Sequence, residues 1–416
     1  MDKASHEFKI TVDGLRTGMF VSRLDRPWLS TPFALEGVRV ATPEDVAQLR
    51  RLCTHVFVDP ARGEAPDLRY VVAEEAVPKR AESPTREYDD LRSTTWETRH
   101  DLPTEMPAAR RAHSELREGI SEIMHDLEAG RVLKLEKLRC GVSSMVDSIT
   151  RNPAAFGWLR EIKRTDNYAY HHALACSVWA ASFGRHLGLN REELTELTLA
   201  GLLFDVGKTR VAAAVLANRG PFDARERQIM RTHVEHSVEI LHQAEGEISP
   251  RVIEAVATHH ERHDGSGYPE GLINGAIPVY GRILGLIDSY EAMTSVRPHQ
   301  PGRSPHQAVM ELYAARGSLF QGELVEQFIQ TSGIYPTGSL VELSDGRVGV
   351  ITTVHSLKRL RPTVMLLLDA KKRPLEEFET IDLWREQKVD GSYTLSVKAG
   401  LPQGAYGIDA AQLFLD

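Results

Sequence analysis

Cysteine is scarce in this sequence of 416 residues. The three that occur, Cys53, Cys140 and Cys176, lie far apart and form no C-x-x-C pair. A small, odd and scattered set argues against a disulfide framework and is typical of proteins that stay in a reducing compartment. We therefore expect a cytoplasmic protein without structural disulfides.

Long apolar runs and an excess of positive charge are also lacking. No segment approaches the roughly 20 apolar residues that span a bilayer, and residues 1–9 lack the apolar core of a signal peptide. The net charge of −8 argues against general nucleic-acid binding. An anionic ligand would therefore need a local positive site, made of metal ions and a few Lys or Arg side chains.

The length allows two or three domains. Residues 1–60 are predicted to form a small α+β module. Within it, residues 8–12 alternate apolar and polar side chains like a strand, and residues 42–45, Thr-Pro-Glu-Asp, are typical of a helix start. Residues 61–104 are rich in charge, Pro and Ser, which predicts a mobile linker. A loosely ordered strap on the surface is the alternative.

The rest of the chain is predicted to be helical first and β-rich at its end. Residues 105–156 are predicted to form a helical connector, whose apolar stripe is either core or a docking face for a second copy in a homodimer. Residues 157–333 carry helical patterns almost throughout. Residues 334–416 are predicted to form a small β-rich domain with a hairpin that turns at Asp345-Gly346. The fold class is therefore multidomain, with a central all-α bundle between two small modules.

Histidine occurs in unusual number: 17 in all, of which more than half lie between residues 166 and 300. Within this range, each predicted apolar helix carries one or two side chains of a type that ligates metals. These candidates are His172, Asp205, His233, His259, His260 and Asp288. Mixed His and carboxylate donors suit Fe, Mn, Co, Ni or Zn rather than Ca, and so many candidates favour two metals over one. Taken singly, each residue is more often a surface or a satisfied core residue.

The densest motif is a His-His-Glu triplet at residues 259–261, followed by Asp-Gly-Ser-Gly-Tyr-Pro at residues 264–269. Together with this motif, the other candidate residues make the segment of roughly residues 157–332 resemble the HD-GYP family of cyclic di-GMP phosphodiesterases. Residues 18–33 resemble the uncharacterised domain that often precedes HD-GYP domains. The resemblance implies a central HD-type helical bundle in a bacterial signalling protein.

This resemblance also implies roles for individual residues. The six candidates would hold two divalent transition metals, Fe or Mn, with Ni, Co or Zn as alternatives. Asp205 and Lys208 would be catalytic, with Lys208 near the scissile phosphate. The ligand-binding residues would be Lys208, Gly267, Tyr268, Pro269 and Arg297. The implied reaction is the hydrolysis of cyclic di-GMP to pGpG or GMP, and a diguanylate cyclase is an implied partner.

One residue of the metal site departs from the family pattern. Where the family has the His of its His-Asp pair, this chain has Phe204, which cannot ligate a metal. We expect one metal to be held by fewer ligands or lost, whereas a second site built on His233, His259 and Asp205 could survive. Four further departures from the pattern are Ser237, Glu291, His299 and Gln300.

Three functions stay open on these observations. The first is an enzyme that hydrolyses cyclic di-GMP, which the retained motif and ligands favour. The second is a catalytically impaired receptor for cyclic di-GMP or a protein-interaction scaffold, which Phe204 favours. The third is a helical scaffold whose histidines coincide by chance. We place the enzyme slightly ahead, because most of the site is intact.

Overall fold

The structure is a computed structural model that describes residues 7–26, 31, 37–60, 62–72, 94–162, 168–218, 220–295, 302–354, 361–386, 394–402 and 404–408. The backbone divides into two compact units, one of residues 1–83 and 343–398 and one of residues 84–342 and 399–416. No described helix combines the length and the apolarity that crossing a bilayer requires.

Helices account for nearly half of the described residues. They are α1 (Pro43–Leu52), α2 (Leu102–Glu128), α3 (Glu136–Arg151), α4 (Pro153–Ile162), α5 (Tyr168–Leu187), α6 (Arg191–Leu203), α7 (Ala213–Leu216), α8 (Ala224–Arg231), α9 (His233–His242), α10 (Pro250–Thr258), α11 (Val279–Thr294), α12 (Pro305–Ala314) and α13 (Gly322–Ser332). The described strands are β1 (Phe8–Thr11), β2 (Phe20–Leu24), β3 (Val38–Arg39), β4 (His55–Val58), β5 (Leu340–Leu343), β6 (Val348–Thr353), β7 (Thr363–Leu368), β8 (Thr380–Asp382) and β9 (Val397–Gly400).

The N-terminal module is a four-stranded sheet with the strand order β1-β4-β2-β3, accompanied by α1. Strands β1 and β4 are antiparallel, and Ile10 lies opposite Val56, both fully buried. Helix α1 begins as predicted, because the Thr42 hydroxyl accepts a hydrogen bond from the Asp45 N–H and the Asp45 carboxylate accepts one from the Thr42 N–H. The α+β character predicted for this module is confirmed.

Residues 94–101 form an extended strap against the helical unit. The Thr94 N–H donates to the Gly188 carbonyl at 3.0 Å, and the Trp96 indole donates to the Leu189 carbonyl at 2.8 Å. These bonds tie Thr94 and Trp96 to the turn between α5 and α6. Most of the remaining linker, residues 73–93, lies outside the described residues.

Helix α2 begins at Leu102, slightly before the predicted start of the helical connector. The cause is Asp101, whose carboxylate accepts a hydrogen bond from the Thr104 N–H at 2.9 Å and so caps the first turn. Helix α2 packs closely on α3, where a Cβ on Gly141 would lie only 3.1 Å from the Leu116 Cα. Of the apolar stripe of α2, Ile120 and Ile123 are buried.

The remaining helices form the central bundle that the sequence predicts. Its core includes four aromatic rings, Trp179, Phe183, Tyr290 and Phe328, whose neighbouring centroids lie 5.1–5.4 Å apart. These rings join α5, α11 and α13, and such close-packed contacts hold helices in fixed positions. Helices α5 and α11 carry candidate ligands, so this core determines where those ligands lie.

A five-stranded sheet with the order β8-β7-β6-β5-β9 forms the β-rich C-terminal region. The predicted hairpin is present between β5 and β6, and Gly346 adopts a φ of 87° at its turn. Few side chains other than glycine accept that conformation without strain. The β-rich character predicted for this region is confirmed.

Candidate metal centre

The six predicted ligands converge from five elements of the helical unit. His172 lies in the first turns of α5, Asp205 follows α6, and His233 begins α9. His259 and His260 follow α10 directly, and Asp288 lies in α11. Because each segment is anchored in the bundle, the donors are held in fixed geometry.

Three histidines form the densest group of donor atoms. His233, His259 and His260 each offer a ring nitrogen, and these three atoms all lie within 4.8 Å of one another. Their ring centroids are 4.1–5.6 Å apart. Three imidazoles at this spacing form a typical ligand set for a transition metal.

Backbone carbonyls orient two of these rings. The Nδ1 atoms of His233 and His259 donate to the carbonyls of Met230 and Val256, each at 2.7 Å. Since a carbonyl only accepts, Nδ1 carries the proton in both rings and Nε2 carries a lone pair. A hydrogen bond of this kind fixes the tautomer and the orientation of metal-binding histidines.

The atoms that face the centre are unsatisfied. Within the described part of the chain, His233 Nε2, His259 Nε2 and Asp205 Oδ1 are buried without a hydrogen-bond partner. His233 Nε2 lies 3.3 Å from Asp205 Oδ1, so two lone pairs face each other. Unpaired buried polar atoms cost about 1–3 kcal/mol each, and a cation between them removes that cost. The donor set therefore fits a metal ion.

The two carboxylates make different contacts. Asp205 Oδ2 accepts a hydrogen bond from Lys208 Nζ at 2.5 Å and lies 3.8 Å from His172 Nε2. Asp288 Oδ1 lies 3.0 Å from His172 Nε2, at hydrogen-bond distance, and Asp288 Oδ2 lies 3.8 Å from His260 Nδ1. Asp205 therefore faces both His172 and His233, whereas Asp288 pairs with His172.

The protonation states suit metal binding. Burial lowers the pKa of His259 to about 4, and His233 adds to this shift. Burial also lowers the pKa values of His233 and His260. Burial by itself would raise the pKa of Asp205, but the Lys208 ammonium and then His233 outweigh it, so that pKa lies well below its usual range. At neutral pH, neutral imidazoles thus face an ionised carboxylate.

Phe204 packs against two of the predicted ligands. Its side chain is 1% exposed, and its ring centroid lies 4.8 Å from that of His259 and 5.8 Å from that of His172. The Ser237 hydroxyl donates to the Phe204 carbonyl at 2.8 Å and accepts from the Gly207 N–H at 2.8 Å. Ser237, a departure from the family pattern, therefore ties the Phe204-Asp205 turn to α9.

The Gly-Tyr-Pro loop packs on the histidine group. The Tyr268 ring stacks on His260 with centroids 4.6 Å apart, and the peptide bond to Pro269 is cis. The Arg231 guanidinium lies 4.7 Å from the centre of the Tyr268 ring. Gly267 is required, because a Cβ there would collide with the Arg262 backbone. Predicted residue Arg297 lies outside the described residues.

Glu261 and Arg231 are contributors that sequence reasoning missed. The Glu261 side chain is buried and accepts hydrogen bonds from the N–H groups of Glu270, Gly271 and Leu272 at 2.7–3.1 Å. In the sequence, only the position of Glu261 beside the histidine pair pointed to a role for it, and nothing pointed to a role for Arg231. Both residues support the loop rather than donate to the centre.

Comparisons with known proteins agree with this geometry. Residues 151–324 match the family described as HD domain, residues 7–138 match a domain of unknown function (DUF3391), and residues 340–389 match a KOW domain associated with HD domain. A Pseudomonas aeruginosa protein named as a cyclic di-GMP phosphodiesterase is 29% identical over 92% of this chain and 90% of its own length.

Two further relatives match the central region. A Vibrio cholerae protein named as a 3'3'-cGAMP-specific phosphodiesterase is 34% identical over 38% of this chain and 30% of its own length. A Xanthomonas campestris protein named as a cyclic di-GMP phosphodiesterase response regulator is 33% identical over 36% of this chain and 40% of its own length. The chain thus spans less than half of these two relatives. The chain therefore carries an HD domain, flanked by a DUF3391 domain and a KOW domain associated with HD domain, and both its Gly-Tyr-Pro loop and its Phe204-Asp205 pair lie within the HD domain.

Proposed function

We propose that this protein hydrolyses cyclic di-GMP to linear pGpG or GMP in a metal-dependent reaction of bacterial second-messenger signalling. One observation carries the proposal: buried, unpaired donor atoms on His233, His259 and Asp205 face one another beside the Gly-Tyr-Pro loop. The name of the Pseudomonas relative, which aligns with most of this chain, supports the same substrate.

The metal would be held by mixed nitrogen and carboxylate donors. The residues available for this role are His172, Asp205, His233, His259, His260 and Asp288. Such donors suit Fe or Mn, with Ni, Co or Zn as alternatives. A bound divalent ion supplies an activated water and neutralises charge on the phosphoryl oxygens.

Lys208 is a cation that contacts one of these candidate ligands, Asp205. Its ammonium holds Asp205 ionised, and its side chain is 30% exposed, so part of it faces solvent. A positive charge there stabilises the negative charge that develops on a phosphodiester oxygen during hydrolysis. Lys208 therefore serves both the carboxylate and the substrate.

The Gly-Tyr-Pro loop would position the nucleotide. The Tyr268 ring stacks on the His260 imidazole and contacts the Arg231 guanidinium, and these contacts hold the plane of the ring. A fixed aromatic wall beside the reacting centre restricts how a substrate lies, and such positioning lowers the entropic part of the barrier. Arg297 is proposed to contact the guanylate part of the ligand.

The decisive experiment is turnover by the purified protein. Metal-free protein is loaded with Mn²⁺ or Fe²⁺ and incubated with cyclic di-GMP, and the products are separated by chromatography. We expect pGpG or GMP from the loaded protein and almost none from Asp205→Asn. The substrate 3'3'-cGAMP is compared in parallel. If cyclic di-GMP stays intact both after loading with Mn²⁺ and after loading with Fe²⁺, the proposal is contradicted.

A second function is favoured by one observation, the buried Phe204 ring between two ligands. A protein with an impaired centre would bind cyclic di-GMP as a receptor or act as a scaffold for a diguanylate cyclase. Tight binding of cyclic di-GMP without products identifies this function. Homodimerisation and a cytoplasmic location stay predictions from the sequence.

A further inference from the structure

We propose that this chain holds a single metal ion, on the side of the site formed by His233, His259, His260 and Asp205, where the family resemblance implies two. The proposal rests on the proposed function only in that the ion would serve that reaction. It depends on a difference between the two sides of the site.

The first side, formed by His233, His259, His260 and Asp205, has unpaired donor atoms that a cation would satisfy. His233 Nε2 and His259 Nε2 carry lone pairs, because their Nδ1 atoms donate to backbone carbonyls. These two nitrogens and Asp205 Oδ1 are buried and unpaired within the described chain. His260 brings a third nitrogen within 4.8 Å of the other two. An ion bound here would satisfy the three unpaired atoms of His233, His259 and Asp205, which no hydrogen bond within the described residues satisfies.

On the second side, formed by His172 and Asp288, the polar atoms are already paired with each other. His172 Nε2 lies at hydrogen-bond distance, 3.0 Å, from Asp288 Oδ1, so these two groups are paired directly. That hydrogen bond would have to break before both groups could ligate an ion. The second side therefore gains less from binding a metal than the first side.

Phe204 contacts one predicted ligand of each side. Its ring packs against His172 and against His259, with centroids 5.8 Å and 4.8 Å away, and it is almost fully buried. Phenylalanine has no donor atom, so an ion beside His172 and Asp288 would meet an apolar ring where a nitrogen is needed. Losing even a hydrogen bond behind a ligand costs about 10–100-fold in metal affinity, and a missing ligand costs more.

The thiol of Cys176 is one group that could replace the missing nitrogen. Its Sγ lies 3.8 Å from His172 Nε2, one helical turn along α5. His171 is adjacent in sequence, but neighbouring residues of a helix point about 100° apart. Cys176 is therefore the residue to exclude by experiment.

Metal stoichiometry of the full-length protein tests the proposal. Metal-free protein is dialysed against Mn²⁺, and bound metal is measured by mass spectrometry and by calorimetric titration. We expect about one Mn²⁺ per wild-type chain and about two for Phe204→His. Phe204→Leu is the matched control and should keep one. Two equivalents on the wild type, none, or one on a folded Phe204→His overturns the proposal.

Three further variants keep the test decisive if Phe204→His does not fold. His259→Ala should lower Mn²⁺ affinity by more than tenfold, whereas His172→Ala should change it by less than about threefold. Equal losses in both contradict the assignment to one side. A second equivalent that Cys176→Val removes shows instead that the thiol replaces the imidazole.

Turnover of cyclic di-GMP, measured in the same samples, separates this inference from the proposed function. One bound ion without hydrolysis contradicts the function and leaves the single-ion centre standing. Two bound ions with hydrolysis contradict the single-ion centre and leave the function standing.

Discussion

Lys208 keeps a buried carboxylate charged. Its Nζ lies 2.5 Å from Asp205 Oδ2, and this charge more than offsets the effect of burial on the Asp205 pKa. Replacing Lys208 with Met should raise that pKa and remove a positive charge near the substrate. We expect kcat to fall by about 100- to 1,000-fold, with less Mn²⁺ bound per chain. Lys208→Arg, which keeps the charge, should lose less. A Lys208→Met variant with nearly wild-type kcat would contradict both roles.

His259 makes the metal-free protein sensitive to acid. Burial lowers its pKa from an ordinary 6.5 to about 4. Between these values the unfolded chain binds a proton that the folded chain does not, so the free energy of unfolding falls as the pH drops from about 6.5 to about 4. At 1.36 kcal/mol per pKa unit, this single residue contributes on the order of 3 kcal/mol. His233 and His260 shift in the same direction.

Urea unfolding of metal-free protein at several pH values measures this dependence. Wild type should lose stability through that window, and His259→Gln should show a shallower loss. An unfolding free energy that stays constant from pH 6.5 to pH 4 would refute a neutral, buried His259.

The Gly-Tyr-Pro loop depends on one carboxylate. Glu261 accepts three backbone hydrogen bonds from residues 270–272 with its two oxygens. Gln keeps one oxygen but turns an NH₂ group toward an N–H donor, which leaves at least one donor unsatisfied at about 1–3 kcal/mol. We expect amide hydrogen exchange of residues 270–272 to accelerate about tenfold or more in Glu261→Gln. The exposed neighbour Glu270→Gln is the control, and equal protection in both variants would rule out this support.

Helix α11 approaches the histidine pair through a glycine. A Cβ on Gly285 would lie 2.5 Å from the His259 carbonyl oxygen, so Gly285→Ala forces α11, and Asp288 with it, away from the α10 end. Overpacking of this kind costs about 1–3 kcal/mol. We expect lower stability in urea. Gly157→Ala in α4, where a Cβ meets no atom within 4 Å, should instead be neutral or stabilising. A similar stability change in the two variants would show that the close approach is absent.

The sequence predicts the types of element well, but it does not predict the contacts between residues that lie far apart in the chain. The Thr42 cap, the Asp345-Gly346 hairpin and the convergence of six ligand candidates follow from local patterns that survive in the folded chain. The direct pairing of His172 with Asp288 depends on a distance across 116 residues, which no local pattern contains. Phe204 could be identified as a departure, but its position between His172 and His259 required the structure.

A metal ion at this centre would join separate segments of the helical unit, because His233, His259 and Asp205 lie on three different elements. Binding to the folded state alone adds about 2.7 kcal/mol of stability when the ion is at 100 times its Kd. Adding Mn²⁺ to stripped protein should therefore raise the melting temperature by roughly 5–10 °C, and chelation should reverse the rise. His259→Ala should show little rise at the same Mn²⁺ concentration, because the ion loses a buried nitrogen donor. An equal rise in this variant would mean that Mn²⁺ stabilises the protein elsewhere, and the centre would then lose its role in holding these helices together.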